Sequence, residues 1–151
     1  MSAINDIKSK FGEKIEVFER SKRRTYINVY QKDIAVDIVE LLFKELGARL
    51  STISAVDLRG GIELLYHMTC DKEGLTISVR TTARKPAPKI ESITGFIEGA
   101  DWIEREIHEL FGVLFIGHPN LKGLLLPDDW PEGEYPLRKK TFESESEVKE
   151  I

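Results

Sequence analysis

An α+β domain is predicted, with a mostly antiparallel sheet, helices largely on one face and an extended Pro-rich C-terminal arm. Three observations carry this. Helical apolar spacing occurs near the start of the chain and again after Asp33. Three alternating segments, Leu50–Leu58, Ile62–Cys70 and Leu75–Thr82, are joined by links that are too short for parallel crossovers. Four of the six prolines lie between Pro119 and Pro136, where they prevent a helix or a central strand. The expected division is a domain over residues 1–116 and an arm over 117–151.

Residues 2–11 read as a short helix. Ile15–Phe18 and Thr25–Val29 read as extended pieces, with the basic cluster Arg20, Lys22, Arg23 and Arg24 at a solvated hairpin tip. Asp33 is a capping residue for a helix to about Leu46, stopped by Gly47; Ile34, Ile38, Leu41, Leu42 and Leu46 keep helical spacing. In the first long strand Leu50, Thr52, Ser54, Val56 and Leu58 share a face. Ile62, Leu64, Tyr66, Met68 and Cys70 do so in the second, and Leu75, Ile77, Val79 and Thr81 in the third. Gly60-Gly61 and Asp71–Gly74 are turn signals. Lys85-Pro86-Ala87-Pro88 breaks the sheet. A helical region is predicted from about Ser92 to Phe111, interrupted near Gly99. Glu143 to Ile151 form a frayed acidic end.

The chain has 151 residues, a size for one domain with a real core. No apolar run approaches the ~20 residues that span a bilayer. The first residues show no signal-peptide pattern, so a cytoplasmic location is expected. Cys70 is the single cysteine, which excludes an internal disulfide and a four-cysteine iron–sulfur or zinc site held by this chain alone. The net charge of -4 argues against nucleic acid as a partner. Charged residues make up 32% of the chain and amides are few, a tendency shared with hyperthermophile proteins.

The chemistry-bearing residues cluster between Asp101 and Lys140. Glu104, Glu106, Glu109, His108 and His118 are the one metal-like group. Gly112, not histidine, stands four residues after His108, so the helical His-Glu-x-x-His pattern is absent and no metal is expected. The other reading is a charged helix surface laced by Asp101–Arg105 and Arg105–Glu109 pairs. His67 reads as a polar-face histidine and Cys70 as a buried, inert thiol. No Ser-His-Asp arrangement is visible, and an independent small enzyme would have to use Glu106, His108 and His118.

Trp102, Glu106 and Glu109 mark a helix face distinct from the core stripe Ile103, Ile107 and Leu110. A tryptophan on an acidic face is either solvated or an anchor for a partner. The arm adds Leu124, Leu125, Leu126, Trp130, Tyr135 and Leu137, which is apolar surface that belongs in a groove.

Glu104-Arg105-Glu106, Glu109-Leu110-Phe111, His118, Lys122 and Leu124-Leu125 resemble the signature of the NADH dehydrogenase C-subunit family, the thirty-kilodalton subunit of respiratory complex I. Leu126–Trp130 and Tyr135–Lys139 resemble the family's ending. The resemblance implies a peripheral-arm subunit with no catalytic residue and no cofactor of its own. It implies packing against a hydrogenase-like large subunit and an iron–sulfur small subunit, with iron–sulfur clusters, and possible nickel–iron chemistry, in those partners. Contact would come from Trp102, Glu104, Arg105, Glu106 and Glu109 on the helix. On the arm it would come from His118, Pro119, Lys122, Trp130, Tyr135, Pro136, Leu137 and Arg138. Such a protein sits on the cytoplasmic side of a membrane complex and touches the membrane only indirectly. Chain length and composition tilt the expectation toward an archaeal membrane-bound hydrogenase or sulfur reductase, ahead of an NADH or F420H2 dehydrogenase.

Overall fold

A computed structural model describes residues 2–140; the expected acidic end, Glu143 to Ile151, lies outside the described residues. Helix α1 (Ala3–Phe11) begins where the Ser2 hydroxyl accepts the Asn5 N–H at 3.2 Å, which satisfies one of the donors that a helix start leaves open. Strands β1 (Ile15–Ser21) and β2 (Arg24–Val29) form an antiparallel hairpin with the basic cluster exposed at its tip. Helix α2 (Lys32–Lys44) starts one residue before Asp33. Gln31 occupies the cap, and Asp33 contributes its charge to the first turn. Gly47, at φ 68°, lets the chain reverse, and the Ala48 N–H closes the end on Leu42 O at 2.8 Å.

The three long strands, β3 (Arg49–Leu58), β4 (Gly61–Cys70) and β5 (Leu75–Arg84), form an antiparallel meander. The sheet order is β1-β2-β5-β4-β3, so the hairpin docks beside β5. That junction is parallel, with Ile27 opposite Val79. Local turn signals did not disclose it, because it joins segments separated by all of α2, β3 and β4.

One face of the sheet is the core. Ile27, Ile62, Leu64, Tyr66, Met68, Ile77 and Val79 are fully buried there, together with Ile7 of α1 and Ile38 and Leu42 of α2. Each such aliphatic side chain contributes roughly 1.5–3 kcal/mol by leaving water. The expected faces of β4 and β5 are the buried ones. In β3 the expected single face is broken. Leu50 lies opposite Met68 but Thr52 lies opposite His67, so one extra residue enters between them. This bulge reverses the alternation. Ile53 and Asp57 turn inward, while Val56 and Leu58 stay exposed.

The opposite face is polar, as an antiparallel sheet permits. His67 lies between the Ser54 and Ser78 hydroxyls at 2.9 and 2.7 Å, and burial, aided by the Arg24 charge, lowers its pKa. Cys70 is buried, and burial followed by Glu73 and Asp71 raises its thiol pKa.

The predicted helix from Ser92 is corrected to a later start. Strand β6 (Lys89–Glu91) pairs in parallel with β7 (Leu114–Ile116), and helix α3 (Asp101–Phe111) connects them after a short 3-10 turn at Glu98–Ala100. The Ser92 N–H is given to Ile116 O at 2.8 Å, which holds this segment to β7 instead of a helix. Among the described residues no helix is long and apolar enough to cross a membrane.

Gly61 starts β4 where a Cβ would run into the carbonyl of Ala83 and meet Thr82 Cγ2 at 2.8 Å. At Gly60 a Cβ would meet nothing within 4 Å. Gly61→Ala should therefore destabilise the domain by about 1–3 kcal/mol through overpacking, and Gly60→Ala should change little. Urea unfolding of both variants checks this; equal midpoints would contradict the packing assignment.

Candidate partner-binding site

Helix α3 is held in place by a charge that faces inward. Glu104 is 0% exposed. Its carboxylate accepts the Ser92 hydroxyl at 2.6 Å and the Ile93 N–H at 2.8 Å. Burial raises its pKa, and the two hydrogen bonds oppose that rise. Glu104 is thus an internal tie between α3 and the segment after β6, and its placement gives it no exposed surface. The deepest stripe is Ala100, Glu104 and Ile107; Ile103 and Leu110, expected in the core stripe, are half-buried.

The outer residues of α3 divide into two groups. Trp102 is 68% exposed and Glu106 is exposed on the next turn. Arg105 and Glu109 instead hold the arm. Arg105, expected to pair along the helix, donates to the carbonyls of Lys122 at 3.2 Å and Gly123 at 3.0 Å. Glu109 accepts three consecutive backbone N–H groups, from Leu124, Leu125 and Leu126, at 3.1, 2.7 and 2.9 Å. Desolvation acts against the Glu109 charge, but these donors and Arg105 outweigh it and hold the carboxyl below the usual range. A proline-interrupted segment has no ladder to satisfy its backbone, and here two helix side chains do so.

Residues 117–139 contain no helix or strand and run along α3. The His118 side chain is fully buried. Its Nδ1 accepts the Asn120 N–H at 3.0 Å, so Nε2 carries the proton and donates to Asp101 O at 3.1 Å. Further on, the arm meets the C-terminal end of α3. Leu137 N–H donates to Leu110 O at 3.1 Å, and Arg138 Nε donates to Phe111 O at 2.7 Å. These bonds use carbonyls that a helix end leaves open. Arg138 lies 4.6 Å from the Tyr135 ring centroid, over Gly112. Gly112 has φ 77°, and a Cβ there would meet Tyr135 Cε2 at 2.5 Å. Glycine is needed both for the left-handed cap and for this approach. Finally the Lys139 N–H reaches the buried Asp57 at 2.6 Å, and Asp57 also pairs with Lys85 at 2.6 Å.

With several of its backbone groups tied to α3, the arm turns apolar side chains out. Leu125 is 60% exposed, Leu137 51% and Trp130 38%. Pro119, Lys122 and Pro136 are exposed as well. His108 bonds Val113 O at 2.8 Å through Nδ1, and both nitrogens of His118 are engaged in bonds within the chain. Among the described residues no three His, Cys, Asp or Glu side chains converge as a metal site. The inward role of Glu104, the Asp57 anchor and the three-donor grip on Glu109 were missed from sequence. The signal for the first was present, since Glu104 lies three residues before Ile107 and four after Ala100.

Two outcomes follow. Glu104→Ala should cost about 1–3 kcal/mol by leaving buried donors unpaired, with Glu104→Gln milder because its amide still accepts the Ile93 N–H. A raised native pKa means that the folded state binds more protons, so stability falls as pH rises upward from the ordinary glutamate value of about 4.3. The wild type should therefore lose ground to Glu104→Gln as pH rises through that window in parallel urea titrations. Glu109 has the opposite sign. Its grip on the arm is present above the ordinary glutamate pKa and is lost as pH falls through the lowered native one. Glu109→Gln should accelerate amide exchange at Leu124–Leu126 at neutral pH; unchanged protection would contradict the anchor.

The family model of the respiratory-chain NADH dehydrogenase 30-kDa subunit matches residues 28–147. The C-subunit of the F(420)H(2) dehydrogenase of Methanosarcina mazei is 34% identical over 142 residues, covering 90% of this chain and 87% of that one. The C/D-subunit of the NADH-quinone oxidoreductase of Phocaeicola vulgatus is 41% identical over 86 residues, covering 56% of this chain but 16% of that longer one. A chain in the structure of the membrane-bound sulfane sulfur reductase, an archaeal respiratory membrane complex, has a TM-score of 0.79 at 27% identity, covering 97% of this chain and 87% of that one. With the family model matched over most of its length, this chain belongs to the family of the 30-kDa subunit of respiratory-chain NADH dehydrogenase.

Proposed function

We propose that the chain is a non-catalytic scaffold subunit in the peripheral arm of a complex I-like membrane oxidoreductase, on its cytoplasmic side. It clamps a hydrogenase-like large subunit to an iron–sulfur small subunit, and the clusters and any nickel–iron centre belong to those partners. The carrying observation is the construction of α3 and the arm. Arg105, Glu109 and Arg138 are spent on bonds between helix and arm, while Trp102, Leu125, Trp130 and Leu137 are left in water. Exposed large apolar groups on a braced frame are the composition of an interface core. The family match supports the complex. The Phocaeicola relative, whose name joins C and D, supports the neighbour, since the matched region there is one part of a much longer polypeptide. The first setting is a membrane-bound hydrogenase or sulfur reductase, and the archaeal sulfur reductase chain, similar along nearly the whole length, supports the second of these. An NADH or F420H2 dehydrogenase is the second setting, supported by the Methanosarcina relative.

Affinity purification of the tagged chain from native membranes tests the reading. Metal-bearing partner proteins should co-purify, while the free chain has no turnover. Trp102→Ala and Leu137→Ala should each weaken co-purification, by about 1–3 kcal/mol for an interface anchor, with the thermal unfolding of the free domain unchanged. Recovery of the chain alone, or full assembly of both variants, would overturn it.

A further inference from the structure

Between α3 and the arm lies a cavity of about 450 Å³ that the scaffold reading does not use. Trp130, Tyr135 and His108 line it together with the exposed acidic residues Asp128, Glu132 and Glu134. Among the described residues no cation pairs with any of these three carboxylates. Glu109 also borders the cavity, but its charge is already taken by three N–H donors. The rim is built rather than loose. Trp130 N–H closes a turn on Pro127 O at 3.0 Å, and Glu134 N–H closes another on Pro131 O at 3.3 Å. The Trp130 indole N–H then bonds Glu134 O at 2.8 Å, folding the second turn back on the ring. Two prolines at the turn starts remove conformational freedom before anything binds.

Tyr135 already carries Arg138 near its ring, so the Trp130 ring and the unpaired carboxylates are what the cavity offers, and they suit one kind of guest. An ammonium is compact and strongly hydrated. A guanidinium is planar, less hydrated, able to stack on rings and able to bond carboxylates by its edge. We infer that this cavity receives an arginine side chain from a neighbouring protein of the complex. The inference rests on the scaffold reading for the source of the arginine, and it adds the chemistry of the contact.

The test uses the full chain with Trp102→Phe, which leaves Trp130 as the reporting tryptophan. N-acetyl-arginine methylamide is titrated against its emission, with the uncharged citrulline analogue in parallel. The arginine probe should give a saturable, salt-weakened change, with the citrulline probe weaker by about tenfold or more, the ratio that one good charged contact supplies. The combined D128N, E132Q and E134Q variant should lose the saturable response. Equal responses to both probes, or an unaltered response in the variant, would overturn the inference and leave an apolar guest as the better account. The same triple variant, tagged in the native host, should co-purify less partner. If the unaltered chain co-purifies with partners while the arginine titration fails, the guest assignment falls and the scaffold reading stands. If the titration succeeds while the unaltered chain purifies alone, the scaffold reading falls, and with it the assigned source of the arginine.

Discussion

A carboxylate taken fully out of water must be bonded on both oxygens or give up its charge, and the Glu104 carboxylate is bonded on both. That constraint fixes more than one side chain. Because Ser92 and Ile93 supply the donors, the rotation of α3 about its axis is set relative to β6. Once that rotation is set, Trp102 points to solvent and Arg105 and Glu109 point along the path of the arm. The outward surface of the helix is therefore a consequence of its inward charge. Leucine at this position would fill the space and release the angular constraint.

The arm illustrates a second constraint, that of backbone satisfaction. Its prolines exclude a ladder, so each donor and acceptor needs an individual partner. Arg105 takes two carbonyls and Glu109 takes three amides, while the last carbonyls of α3 take Leu137 and Arg138. These are specific bonds between side chains and main chain, and they leave the apolar side chains of the arm unspent. A segment fastened by its backbone and presenting its side chains suits an interface, because little ordering remains for a partner to impose.

Much of the domain was legible from periodicity. The buried alternation of β4 and β5, the spacing of α2 and the glycine that ends it all act within a few residues, which is the range over which pattern reading works. What escaped acts at long range. The bulge in β3 depends on its pairing with β4, the parallel β2–β5 junction joins distant segments, and Ser92 is held by β7. At the site, the motif residues were legible as a group, but their division of labour was not. Arg105 and Glu109 look like a surface ion pair in sequence, and a sequence does not show that backbone groups many residues ahead will compete for them.

The position of β5 has a consequence for synthesis. It is the central strand, bonded on one side to β4 and on the other to β2. The β1–β2 hairpin leaves the ribosome before β5 and has no neighbour on its β2 side until β5 has been made. Until then its Ile27 and Val29, and the apolar stripe of α2, lie open on the nascent chain. A pairing between such distant segments is slow to form and exposed to misassembly while it waits. During the stretch of translation between Val29 and Arg84, then, the apolar face of this hairpin waits for the strand that completes its sheet.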